Sequence, residues 1–194
     1  MNEDLLKEIK STIPYLIAAA LVVGGYYGVK EYRAKQKAAA SSAFVSAYTV
    51  EELEEASSKF GGSAAGGVLK LRLAKKYYDA GRHQEALDIY RALSGDKAPD
   101  GYADIPAVGE AQCLEALGQH AEALKAYDAF VEANPESFLA LTAKLGAARA
   151  QALSGDSKAA LVRIEALKKA VGDDSLAKMR VETTEDCIKR LPKK

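Results

Sequence analysis

Three patterns of apolar and polar positions follow one another along the chain. The first is an unbroken apolar run, Ile13–Val29 (IPYLIAAALVVGGYYGV), 17 residues without a charge between Lys10 and Lys30. As a helix it spans roughly 25 Å, slightly short of a hydrocarbon core of about 30 Å. Tyr15 at one end and Tyr26, Tyr27 and Tyr32 near the other suit the two interfaces and extend the match. Pro14 falls in the first turn, where a missing N–H costs least. The run therefore predicts a transmembrane anchor over residues 13–29, preceded by a short segment over 1–12. A cleaved signal peptide competes, but the leading segment is mixed in charge (Glu3, Asp4, Lys7, Glu8, Lys10) and no small-x-small site closes the run. A buried soluble helix also competes, against the abrupt charged flanks.

The second pattern covers residues 30–67. From Lys30 to Tyr48 there is no Pro or Gly, so the anchor helix is expected to continue past the apolar run. Thr49 followed by Glu52 is a capping box, and Glu51–Phe60 reads as a short helix stopped by Gly61 and Gly62. The glycine-rich stretch Gly61–Gly67 (GGSAAGG) is read as a turn between helices. No strand pattern precedes it and no Lys-Ser/Thr follows, as a phosphate-binding loop requires.

The third pattern is a repeat over residues 68–172. Turn glycines fall at Gly81, Gly118 and Gly155, 37 residues apart each time. Five residues after each stands an alanine (Ala86, Ala123, Ala160), and nine after each a large residue (Tyr90, Tyr127, Ile164). Glycine takes the left-handed conformation that ends the first helix of a hairpin. The alanine suits a close helix crossing, and the large residue one turn later fills the gap to the next hairpin. Such a unit cannot bury its apolar face alone, so neighbours must stack. The insert Ser94–Asp104 is the expected loop, and the amphipathic segment Leu176–Leu191, with Lys189, Arg190, Lys193 and Lys194 at its end, reads as a cap helix within 173–194.

These positions resemble the tetratricopeptide (TPR) consensus. Leu73, Ala74, Tyr77, Gly81, Ala86, Tyr90 and Leu93 occupy it in the first unit. Ala111, Leu114, Gly118, Ala123, Tyr127, Phe130 and Pro135 occupy it in the second. The third is degenerate, with Gln151 where an aromatic is usual, and the 37-residue spacing exceeds the usual period of about 34. The resemblance implies an all-α fold, a TPR-like α-solenoid of about three hairpins with a C-terminal cap helix. The wider order (anchor, continuing helix, short helix ending KFGGS, then LRLAKKYYDAGRHQEAL) resembles the YfgM-type family of membrane-anchored TPR proteins. That resemblance implies a single-pass protein of the bacterial inner membrane, its domain in the periplasm, accompanying the SecYEG translocon and periplasmic chaperones. The charge bias points the other way. Lys30, Arg33, Lys35 and Lys37 follow the run, against Lys7, Lys10 and the terminal amine before it, a modest bias that alone would leave the domain in the cytoplasm.

Charge and composition narrow the chemistry. Basic and acidic residues total 27 each; Met1–Lys37 holds 6 and 4 of them, which leaves 21 and 23 for the rest. A soluble part near −2 disfavours nucleic acid as partner. The cysteines, Cys113 and Cys187, form no CxxC motif, and the stacking order predicts that they are not bonded to each other. His83 and His120 each follow a turn glycine by two residues, a local structural position at the start of the second helix. No hydrolase, zinc-protease, Walker or dinucleotide motif is present, so neither catalysis, a metal nor a cofactor is expected.

Two surfaces remain as candidates for contact. Spacing places Lys75, Tyr78, Gln112, Glu115, Thr142 and Arg149 on the first helices of the hairpins, where a TPR array presents its concave groove; alternatively they are ordinary solvated helix residues. Ala20, Gly24 and Gly28 recur every four residues on one face of the anchor and admit a close helix, from a neighbouring protein or a second copy as a homodimer. The expected function is a non-enzymatic, membrane-tethered protein–protein interaction module that assists translocation, chaperone docking or envelope assembly. The alternative is a structural subunit that packs through its membrane helix.

Overall fold

The computed structural model describes residues 3–61 and 64–192; the side chains of residues 3–12, 14, 16, 44, 64 and 96 lie outside that description. Gly62, Lys193 and Lys194 also fall outside it, as do the side chains of the flanking Lys7 and Lys10. Among the described residues the chain is all helix, without strands. It divides into two units, residues 1–47 and 48–194.

The first unit is one continuous helix, α1 (Glu3–Ser46). Its side chains from Leu21 to Val23, with Tyr26, Tyr27, Val29 and Tyr32, are exposed. Among the described residues, no helix is long and apolar enough to cross a membrane. The anchor expected over 13–29 gains no support there; two members of its run, Pro14 and Leu16, have side chains outside the description.

The second unit comprises α2 (Val50–Phe60), α3 (Ala64–Asp79), α4 (His83–Ala92), α5 (Asp104–Ala116), α6 (His120–Ala133), α7 (Ala140–Leu153), α8 (Ser157–Ala170) and α9 (Ser175–Arg190). α2 starts on the capping box: Thr49 Oγ1 accepts from the Glu52 amide, and the Glu52 carboxylate accepts from the Thr49 amide at 3.1 Å. The Gly61–Gly67 stretch is not wholly a turn, because α3 already starts at Ala64. Gly67 lies so close to Pro99 that an added Cβ would fall 2.7 Å from its Cγ. Glycine is needed there for close approach. Ser94–Ala103 is a loop with a 3₁₀ turn at Gly95–Lys97, and Asp104, the last residue of the expected insert, already opens α5.

The three turn glycines close one motif three times. Gly81, Gly118 and Gly155 have φ of 78°, 79° and 105°, and each hairpin ends its first helix with a Schellman pair of hydrogen bonds. The residue after the glycine donates to the carbonyl five back: Arg82 to Tyr77, Gln119 to Leu114, Asp156 to Gln151. The glycine itself donates to Tyr78, Glu115 and Ala152 respectively. Ala86, Ala123 and Ala160 are fully buried at the crossings that follow, with Tyr90, Tyr127 and Ile164 beside them.

Consecutive helices from α2 to α9 pack against each other, and direct contacts also join α3 to α5, α5 to α7 and α7 to α9. The odd helices thus form the tighter layer, as in the inner face of a helical solenoid. α7 is the most enclosed. Eight of its fourteen residues are buried, and none of the remainder is fully exposed. α9 closes the end through a cluster of Leu145, Ala148, Ala152, Ile164, Val181 and Ile188.

Candidate functional site

The inner layer carries the six residues expected to line a groove, and the structure divides them. Glu115 (α5) and Arg149 (α7) face each other: Arg149 Nε and Nη2 donate to the two carboxylate oxygens at 2.8 and 3.0 Å. The Tyr127 hydroxyl donates to the same carboxylate at 3.0 Å. Burial works against the Arg149 charge, but the bond to Glu115 outweighs it and holds its pKa above the ordinary value. Burial, then the neighbouring Glu115 charge, raises the Tyr127 phenol. This three-membered cluster latches the second hairpin to the third. Thr142 is likewise engaged, accepting from Arg180 of α9 at 2.8 Å.

Lys75, Tyr78 and Gln112 are the more available members. Lys75 pairs with Asp79 one turn on, at an exposed site where such a pair contributes little. Tyr78 is half-buried, its ring 5.0 Å from that of His83. Its hydroxyl pKa is raised by burial first and by the Glu115 charge second. Gln112 is half-buried on α5.

No family model matches the chain. Neither does a curated protein or a solved structure match it.

Two residues that carry the stacking escaped the sequence reading. Gly109 and Gly146 sit inside α5 and α7, 37 residues apart, and each receives an aromatic ring from the hairpin before it. A Cβ at Gly146 would fall 2.7 Å from both Cε atoms of Tyr127 and closer still to Cζ; at Gly109 it would fall 2.6 Å from Cζ of Tyr90. The signal was present, since each lies 28 residues after a turn glycine. Helix-interior glycine is disfavoured by about 1 kcal/mol and asks for such a packing reason.

The histidines occupy the first turns of α4 and α6, as their spacing implied, each with a buried Nδ1 that has no hydrogen-bond partner among the described residues. Both thiols are free, Cys113 buried on α5 and Cys187 exposed on α9. Burial, with Glu110 adding to it, pushes the Cys113 thiol up to about 12. On α1, side chains added at Gly24 or Gly28 would meet nothing within 4 Å, so that face is open.

Proposed function

We propose that the chain is a TPR-type protein-interaction module tethered to a membrane by residues 13–29, and that partners dock on the inner layer of its odd helices. The observation that carries this reading is the hairpin built three times on one scheme, with Tyr78 and Gln112 half-buried on its odd helices α3 and α5. Arrays of this kind bind through the concave layer. The tether is supported by the charge-free run and by the apolar side chains of Ile17, Leu21, Val22, Val23 and Val29, left exposed around the helix. The resemblance to YfgM-type proteins adds the bacterial inner membrane, a periplasmic domain, and translocon, chaperone or envelope components as partners; a cytoplasmic domain is the alternative that the Lys/Arg bias favours. No catalytic role is assigned.

The test uses the tagged full chain, extracted in mild detergent, beside a Tyr78→Ala/Gln112→Ala variant. Enrichment of translocon, chaperone or envelope components by the parent and their loss in the variant is expected. Recovery of none of these classes by the parent overturns the reading. Protease digestion of spheroplasts assigns the compartment independently.

A second reading has its own support in the open face at Gly24 and Gly28: a structural subunit held by a neighbouring membrane helix, or a homodimer. Stoichiometric co-purification that disappears with Gly24→Leu or Gly28→Leu identifies it; unchanged co-purification excludes it.

A further inference from the structure

Away from the inner layer, the loops after α4 and α6 meet at one edge of the second unit. The Ser137 hydroxyl of the second loop donates to Asp104 Oδ2 at the end of the first, and the Leu139 amide donates to Ser137 Oγ at 3.1 Å. The first loop is fixed from behind, where Pro99 is buried against Gly67, and the Tyr102 amide donates to the Pro99 carbonyl at 2.9 Å. Between the loops lies a depression of about 240 Å³ lined by Gly101, Tyr102, Asp104, Ile105 and Phe138. Phe138 is 75% exposed and Tyr102 40%. Two anchored loops thus hold two aromatic rings, partly exposed, at the rim of one depression.

The charge carried by the two loops and the start of α5 is one-sided. Asp104 lines the depression, and Asp100 and Glu136 stand one and two residues from its lining residues Gly101 and Phe138, with Lys97 as a cation of the same loops. Asp100, Asp104 and Glu136 enter no ion pair among the described residues. The cavity is smaller than the roughly 300–1,000 Å³ of small-molecule sites, and fits one long side chain.

We propose that this corner is a second docking surface, distinct from the inner layer, and that its occupant is an arginine or lysine side chain of a partner polypeptide. The aliphatic stem lies on Tyr102 and Phe138, and the cationic head meets the ring faces and the carboxylates of Asp104, Asp100 and Glu136. Because the loops are already braced, little ordering accompanies binding.

The chain has no tryptophan, so Phe138→Trp gives a single reporter at the rim. The full chain in detergent is titrated with acetyl-Leu-Arg-Leu-amide and with acetyl-Leu-Glu-Leu-amide. A saturable emission change with the arginine peptide alone is expected, weakened about fivefold by adding Asp100→Asn and Glu136→Gln, exposed residues outside the Asp104–Ser137 bond. In ¹⁵N spectra of the unsubstituted full chain, the same peptide should move the Gly101, Ala103 and Leu139 amides, which guards against a disturbance by the tryptophan. No saturable response, equal response to both peptides, or full affinity without the two carboxylates overturns the proposal. So does emission that changes with protein concentration alone, which would identify a second copy as the occupant. Tyr78→Ala/Gln112→Ala should leave the titration unchanged, so failure here and failure of the inner-layer reading are separable.

Discussion

Replacing Gly146 by alanine asks whether the ring-on-glycine contact sets the stacking. The new Cβ would lie 2.7 Å from two ring carbons of Tyr127, against the 3.5–4.0 Å of an ordinary carbon contact. The ring must therefore retreat by about 1 Å. It has little room, since Tyr127 is fully buried and its hydroxyl is tied to Glu115. Overpacking of this kind costs about 1–3 kcal/mol, while alanine in place of a helical glycine returns about 1 kcal/mol. Because the ring is held at its hydroxyl, the upper part of that range applies, about 2–3 kcal/mol, and the net expectation is a loss of about 1–2 kcal/mol, read by urea denaturation followed at 222 nm, or as a fall in Tm of about 2–4 °C per kcal/mol. In a Tyr127→Leu background the clash disappears, and Gly146→Ala should become stabilising by up to about 1 kcal/mol. A Gly146→Ala protein as stable as the parent, or a cost that persists without the tyrosine, would refute the reasoning. Gly109→Ala should be milder, because the hydroxyl of its partner Tyr90 is not tied to a carboxylate.

Other outcomes follow from the same contacts. Gly118→Ala forces a side chain into φ of 79° and should cost about 1 kcal/mol in the same denaturation, with Gly118→Asn costing less. Arg149→Met leaves a half-buried Glu115 without its bidentate partner and should cost about 1–3 kcal/mol, more than Lys75→Met at its exposed pair. Glu185 has its carboxyl pKa lowered by Lys168 first and Lys189 second, so its contribution is present above the usual carboxylate pKa and fades as pH falls through the lowered one. Stability curves of the parent and Glu185→Gln should converge on acidification; parallel curves down to pH about 2 would refute the assignment. An aromatic disulfide reagent should modify Cys187 in the native protein and reach Cys113 only on unfolding, since the latter is buried and its thiol stays protonated.

What the sequence disclosed follows from how local each signal is. A glycine in the left-handed region with an alanine five residues on marks a hairpin by short-range sterics alone, and all three were readable. Thr49 with Glu52 was readable for the same reason. Gly109 and Gly146 obeyed the same 37-residue spacing, yet a glycine inside a helix acquires meaning only from the ring packed on it, and that ring lies 19 residues earlier. The inner layer was half legible. Spacing put Glu115 and Arg149 on the same layer, but it did not reveal that they bind each other across 34 residues. The Tyr102–Phe138 corner left no periodic trace, because loops have no period. Gly61–Gly67 was read as a turn throughout, whereas α3 starts at Ala64, since glycines that permit close approach resemble glycines that break helices.

The enclosure of α7 gives the array a direction. A helix with no fully exposed residue loses contacts on several sides when it opens. α9 packs on it through Val181 and Ile188, so α7 opens at the expense of that cluster as well. Its amides should therefore outlast those of its neighbours in hydrogen exchange. Whatever pulls on this molecule from its C-terminal end meets α9 first, and a keystone in the third hairpin behind it.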